Sequence, residues 1–359
     1  VPLQTNLPHA PVHWLTIQDH FNDLVVSTYG RGFWILDDIT PLQQMTSEVL
    51  ASDGHLFQPR PAYRFRNKEG RVSQPEDPGA GRNPEFGASI HYFVGESADG
   101  PVKLSILDQS GEIVTEIGRV SRDPGLHRVY WNLRYPSSNS PRMRTKVLEH
   151  AHVELGDDGW RPAGDGGRVT PLAPPGDYTV RLEVGEEVFT APLTVLKDPA
   201  SAGSQADIQA QFQVLLQIQE ETNAVVDLIN EAESIRAQVV DLSARLAGRD
   251  DMGEILAAGR TLDQALIDLE MGLTDLRLAG GQDSLRWPRQ LLAKLTSLAG
   301  YIGGSDFPPT EQQLEVHEEL QVLLADAQER MASIRNGELA AMNRALLDSG
   351  LPHIMGGTP

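Results

Sequence analysis

Cysteine is absent from the 359 residues. That excludes disulfide scaffolds, thiolate zinc sites and cysteine nucleophiles, and it leaves the redox compartment open, because an exported chain need not hold disulfides. No run approaches the ~20 apolar residues of a membrane span. Lysine is scarce, with 25 arginines and 5 lysines making up the 30 basic residues. Against them stand 50 Asp and Glu, a net charge of −20. A chain this acidic repels phosphate backbones and anionic lipid, so nucleic acid and membrane surfaces are poor candidate partners. What is present, 40% hydrophobic and 22% charged residues, describes a globular chain long enough for about two or three domains. The opening Val1-Pro2-Leu3 shows neither a basic leader nor an apolar stretch, and the expectation is a piece of something longer.

The pattern changes near residue 200. Residues 1–200 hold most of the Pro, Gly and aromatics, with 19 basic and 26 acidic residues. Residues 201–359 carry 11 basic and 24 acidic residues and are rich in Ala, Leu, Gln and Glu. Strands followed by helices argue for separate domains rather than a parallel α/β sheet. Short strands are expected at 12–17, 23–28 and 32–36, joined by Asp19-His20-Phe21-Asn22-Asp23 and Gly30-Arg31-Gly32. Three such strands need a partner face, so residues 1–45 read as an incomplete sheet cut from a larger β-repeat.

A short helix within 41–54 is followed by a second β-region, 55–198. Its candidate strands are 61–66, 88–94, 101–107, 112–117, 126–134, 177–184 and 187–196. Val102, Leu104 and Ile106 alternate with Lys103 and Ser105; Tyr178, Val180, Leu182 and Val184 alternate with Thr179, Arg181 and Glu183. A period of two buries one face of each strand. Gly185-Glu186 reads as a tight hairpin, and the set matches an immunoglobulin-like antiparallel sandwich. Segments 67–87 and 135–172 lack pattern and read as long surface loops.

After Asp198-Pro199 the period becomes 3.6. Ile208, Phe212, Leu215, Ile229, Ala232, Ile235, Val239, Leu242 and Leu246 step by three and four, behind a capping-box-like Ser204 and Asp207. A second helix carries Ile255, Leu262, Leu266, Leu269, Leu273 and Leu276, with Gly280-Gly281 as its stop. A third has Pro288 near its first turn and Leu292, Leu295, Leu298 and Ile302 on one face. A fourth follows Pro308-Pro309, with Thr310 as N-cap and Gln313 three residues later, and a short one lies around 338–348. Residues 204–350 thus read as an antiparallel bundle of the four-helix type.

Chemistry is sparse. His150-Ala151-His152 beside Glu149 is the one close pairing of metal-ligand types, though i and i+2 share a face only in a strand, and a solvated loop is the better reading. Asp157-Asp158-Gly159 and Asp165-Gly166-Gly167 lack the spacing of a calcium loop and are turn signals first. Asp37-Asp38 are the residue types of a glycosidase pair, yet neighbours in a strand point to opposite faces, which favours a strand-end turn and cap. Gly30-Arg31-Gly32 opens no helix, so it is not a phosphate cradle, and no cofactor is expected. Trp14, Trp34 and Trp131 fall in strand patterns and read as core; Trp160, between Gly159 and Arg161, is the tryptophan expected to be exposed. The candidate ligand-binding residues are therefore Trp160, Arg31, Asp37 and Asp38, and the candidate metal ligands are His150 and His152.

The stretch from Asn22-Asp23-Leu24-Val25-Val26 through Tyr29-Gly30-Arg31-Gly32-Phe33-Trp34-Ile35-Leu36-Asp37-Asp38-Ile39 resembles the closing blade of bacterial sortilin-like β-propeller proteins with BNR (Asp-box) repeats. Gly125-Leu126-His127-Arg128-Val129-Tyr130-Trp131 and Pro174-Pro175-Gly176-Asp177-Tyr178 resemble that family's downstream sandwich, and Asp283-Ser284-Leu285-Arg286-Trp287-Pro288 its helical end. The full Asp-box, Ser-x-Asp-x-Gly-x-x-Trp, is missing; Trp34-Ile35-Leu36-Asp37-Asp38 stands in its place without the glycine. The resemblance implies the C-terminal region of an exported propeller protein, non-catalytic, serving support or binding of a protein or glycan. The alternative it implies is the accessory end of a sialidase-like glycoside hydrolase whose active site lies upstream; it carries no catalytic residue onto this stretch. A third reading makes the helices an oligomerisation module.

Overall fold

The computed structural model describes residues 6–66, 84–280 and 282–357. The loop expected at 67–87 therefore lies outside the described residues except for 84–87, as do residues 1–5 of the expected first segment. The chain forms two compact units, Val1–Pro136 with Leu172–Gln205, and Ser137–Pro171 with Ala206–Pro359. Strands dominate the first and helices the second, the order the change of period implied.

Along the first unit run β1 (Val12–Gln18), β2 (Asp23–Thr28) and β3 (Phe33–Leu36), then two short helices, α1 (Thr40–Gln44) and α2 (Ser47–Leu50). Next come β4 (Gly54–Leu56), β5 (Ala62–Arg64), β6 (Ala88–Val94), β7 (Val102–Leu107), β8 (Ile113–Glu116) and β9 (Gly125–Trp131). The excursion into the second unit carries the two-residue strands β10 (Arg142–Met143) and β11 (Arg161–Pro162). The first unit resumes with β12 (Gly176–Val184) and β13 (Glu187–Lys197).

Three sheets result in the first unit, ordered β1-β2-β3, β4-β6-β9 and β5-β13-β12-β7-β8. The second and third share one core, to which Ile90, Tyr92, Val94 and Trp131 come from one sheet and Leu104, Ile106, Val180, Leu182, Leu193 and Val195 from the other. The alternation in β12 buries Tyr178, Val180, Leu182 and Val184 as the period of two required. Gly185 takes φ +58 at the β12–β13 hairpin, a left-handed value that glycine adopts without strain. One pairing departs from the antiparallel expectation: β5 runs parallel to β13, Ala62 beside Val195. Another strand, β4, was not legible because its three residues are too few to show a period.

The second unit contains α3 (Gln205–Leu246), α4 (Gly253–Leu273), α5 (Leu291–Ile302), α6 (Glu311–Ile334) and α7 (Ala340–Asp348), with a π-helical turn, Arg335–Leu339, joining the last two. Thr310 and Gln313 form the capping box the sequence suggested, each side chain bonded to the other's backbone N–H. Two expected boundaries move. The second helix stops at Leu273 instead of Gly280, because Thr274 turns extended and its hydroxyl donates to Asp165 Oδ1 at 2.6 Å. Leu276 and Leu278 stay buried beyond it without helical backbone. The third begins at Leu291, so Pro288 precedes its first turn.

The patternless segment 135–172 is not a loop of the sheets. Residues 137–171 pack on the helices, with Met143 and Val169 inside the helical core. Polar side chains of α3 receive its backbone: Asn223 Oδ1 accepts from Asn139 N–H at 2.7 Å and Asn230 Oδ1 from Arg142 N–H at 2.8 Å. Glu233 accepts the N–H groups of Arg144 and Thr145 and the Thr145 hydroxyl. Extended chain needs no apolar period when its amides are met this way, so no repeat appears in the sequence.

Candidate functional site

Two features of the first unit stand out, a polar cluster at the end of β3 and the exposure of the three-stranded sheet. At the end of β3 the chain turns sharply, with Asp38 at φ +53, a conformation uncommon outside glycine. Its N–H donates to Asp23 Oδ1 at 2.9 Å, and its Oδ1 accepts from Thr40 N–H at 3.3 Å. The carboxylate is buried, only 3% exposed, with Arg60 Nε 3.4 Å and His91 Nδ1 3.8 Å from Oδ2. Arg60 also donates to the Phe21 carbonyl at 3.0 Å and lies over the Phe21 ring.

His91 sits on β6 and is 4% exposed. Its Nε2 accepts from Arg128 Nε at 2.7 Å, which places the ring hydrogen on Nδ1, the side facing Asp38. Burial, helped by the Arg128 charge, brings its pKa down to about 4 against the opposing pull of Asp38. The imidazole is thus neutral at pH 7. Arg128 closes the circuit by donating from Nη2 to the Asp37 carbonyl at 2.6 Å. Burial, with Asp23 adding to it, raises the pKa of the half-buried Asp37 carboxyl.

The first strand of the sheet is bare. All seven residues of β1 are exposed. Register places Trp14, Ser27 and Phe33 in one cross-strand row and Thr16, Val25 and Ile35 in the next. Trp14 is 71%, Phe33 79% and Ile35 61% exposed, and on the opposite face Leu15 and Ile17 are exposed as well. Contiguous exposed apolar surface of this kind marks an interaction face. The outer edge of β1 pairs with no further strand among the described residues. Trp14 is therefore not the core residue its strand pattern suggested; alternation reports a face, and only packing decides whether that face is covered. Trp131 is core as expected.

The other candidates are placed as follows. Arg31 is exposed at the β2–β3 turn, where its carbonyl accepts from Trp34 Nε1 at 3.0 Å. Trp160 is half-buried in the second unit, with the Arg142 guanidinium 5.6 Å from its ring. His150 and His152 lie in a turn of that unit, their rings perpendicular with centroids 5.7 Å apart. Among the described residues no three His, Asp or Glu side chains are placed to hold a metal ion. Arg31, Asp37 and Asp38 belong to one unit, and Trp160, His150 and His152 to the other.

Arg60, His91 and Arg128 were missed. A signal for His91 exists: Ser89 and His91 alternate with Ala88, Ile90 and Tyr92 along β6, so the polar pair falls on one face of the strand and the apolar residues on the other. No signal links them to Asp38, since they come from separate segments. No family model, curated protein or solved structure matches the chain.

Proposed function

We propose that this chain is a non-catalytic C-terminal region of an exported sortilin-like, BNR-repeat propeller protein, in which β1–β3 belong to the closing blade. The observation that carries the reading is the contrast within one small sheet. Its base is pinned through Asp38, Arg60, His91 and Arg128, while β1 and the rows through Trp14, Phe33 and Ile35 are open. A sheet held this firmly with apolar faces uncovered is suited to receive further β-structure. The two sheets with a common core are read as the immunoglobulin-like sandwich of that family. Tyr178 supports this, since its hydroxyl donates back to the Pro174 carbonyl at 2.9 Å beside the buried Trp131. The helices are read as a supporting bundle. Asp38 is buried against Arg60 and His91 at the end of β3, which speaks against the Asp37–Asp38 pair flanking a glycosidic bond.

The blade reading requires propeller sequence ahead of β1, and the test compares this chain with a longer product that carries such sequence, by hydrogen exchange. The β1 amides should exchange fast in the shorter chain and slowly in the longer one. Equal exchange in both would sink the blade assignment. Glycosidase turnover by the 359-residue chain, abolished by Asp37→Asn or Asp38→Asn, would overturn its non-catalytic half.

A further inference from the structure

We infer that the helical unit carries a groove between α3 and α7 that recognises an extended peptide, and that the chain's own segment 351–357 lies in it as a releasable strap. The partner it fits is an unstructured polypeptide segment with one branched aliphatic side chain. All of these residues belong to the second unit, and the inference does not rest on the propeller reading.

The strap is held in a way that packing of one helix on another does not require. α7 closes in a Schellman turn, with Gly350 at φ +67 and the Leu351 N–H bonded to the Leu346 carbonyl at 2.9 Å. Pro352 bars further helix, and the chain continues without regular secondary structure. Two side-chain amides then meet two successive residues. Asn343 of α7 accepts from the Ile354 N–H at 2.7 Å and donates to the Ile354 carbonyl at 3.0 Å. Gln238 of α3 does the same for Met355, accepting from its N–H at 3.0 Å and donating to its carbonyl at 3.1 Å. A second bond, from Gln238 Nε2 to the Ser234 carbonyl at 3.0 Å, keeps that amide turned toward the strap.

This pattern selects the class of partner. A side-chain amide carries both donors and an acceptor, so it can meet both polar groups of one residue, as the edge of a sheet does for an added strand. Such bonds read backbone and accept any sequence. Specificity comes from the side chains: Ile354 is 3% exposed within the helical core, while Met355 is 66% exposed. The groove therefore demands one aliphatic anchor and leaves its neighbour free.

The strap is also poised to leave. Four side chain–backbone bonds and one fully buried anchor must offset the ordering of seven residues, among them Gly356 and Gly357, which lose the most freedom. The two bonds from Gln238 are open to water. Segments with so few buried contacts open locally while the rest of the fold stays closed. Gly356 passes beside the π-helical turn, where a Cβ would stand 3.4 Å from Leu339; turns of that kind recur at functional sites. Opening bares Asn343, Gln238 and the Ile354 pocket together.

Fluorescence anisotropy with a labelled peptide, Leu-Pro-His-Ile-Met-Gly-Gly, tests this on the full chain. Ile354→Asp releases the strap and should bind the peptide at least about tenfold more tightly than the parent, in which the strap competes. Adding Asn343→Ala to that variant, or placing alanine at the peptide's isoleucine, should each weaken binding by about tenfold or more. Should Ile354→Asp not fold, Ile354→Ala takes its place with the same readouts. Three results would overturn the inference: no binding at about 1 mM by a variant that keeps its helix content, binding indifferent to Asn343 and to the peptide's isoleucine, or failure of both variants to fold, which would make the strap an integral part of the core.

Discussion

Arg128 donates from Nε to His91 Nε2 at 2.7 Å and from Nη2 to the Asp37 carbonyl at 2.6 Å. One side chain of β9 thereby orients the imidazole of β6 and holds the end of β3. Removing it takes away both bonds at once. Arg128→Ala should lower stability by about 1–3 kcal/mol, most of it from the bond to the buried His91 ring, since the bond to the Asp37 carbonyl is solvent-exposed. Arg128→Lys, with a single ammonium in place of the fork, should recover less than half of that loss. Urea unfolding followed by tryptophan fluorescence reads both, and a neutral Arg128→Ala would contradict the lock.

Asp38 should be hard to replace. Asp38→Asn tolerates φ +53 but strips the charge facing Arg60, and a loss of about 1–3 kcal/mol is expected. Asp38→Ala should cost more, since alanine resists that backbone conformation and leaves the Thr40 N–H unmet. The ranking of the two midpoints is the check.

His91 sets an acid limit on the first unit. Its folded pKa, about 4, lies below the usual 6.5, so above pH 6.5 both states are neutral and nothing is lost. As pH falls through 6.5 the unfolded chain takes up a proton that the folded chain refuses. By pH 5 this costs about 2 kcal/mol, and the loss levels off below pH 4. His91→Gln should flatten the profile between pH 7 and 5; an unchanged slope would remove His91 as the cause.

The second unit should respond in the opposite sense. Arg236 pairs with Glu233 at 3.1 Å, Glu270 at 2.8 Å and Asp263 at 2.9 Å, and the first two carboxylates are fully buried. Burial, then the neighbouring Glu233 charge, pushes the Glu270 pKa well up, with Arg236 opposing. A carboxyl raised on folding stabilises fully below its unfolded pKa, and that contribution is lost as pH rises toward the folded one. Glu270→Gln should therefore gain on the parent as pH rises from about 4.5. Glu233→Ala, which takes one of three carboxylates from Arg236 and leaves the Arg144 and Thr145 amides unmet, should cost about 2–4 kcal/mol. Melting of each variant across pH separates the two effects.

Substitutions on the open sheet face should be nearly free. Trp14→Ser and Phe33→Ser are expected within about 0.5 kcal/mol of the parent, with reduced binding of a hydrophobic dye. Trp131→Ala, from the core of the two larger sheets, should cost about 3–5 kcal/mol by contrast. A large loss at Trp14 would mean that its face is covered after all.

Some of this was written in local order. The capping box at Thr310 and the alternation of β12 are contacts between near neighbours, so their signals survive in the linear chain. Trp14 shows where such signals stop. Its strand was legible, but burial is a property of what lies opposite, and nothing in the spacing of β1 says whether anything does.

Linear order was enough to set the two kinds of secondary structure, the change from one to the other near Pro199, and the acidic net charge. Those depend on repeat length and composition, which need no partner to be expressed. Tertiary structure alone decided that Asp38 belongs to His91 and Arg60, that residues 137–171 pack on the helices, and that β1 stands open. Each of these joins residues far apart in the chain, and a hydrogen bond or a covered face depends on distance in space, which linear order does not encode.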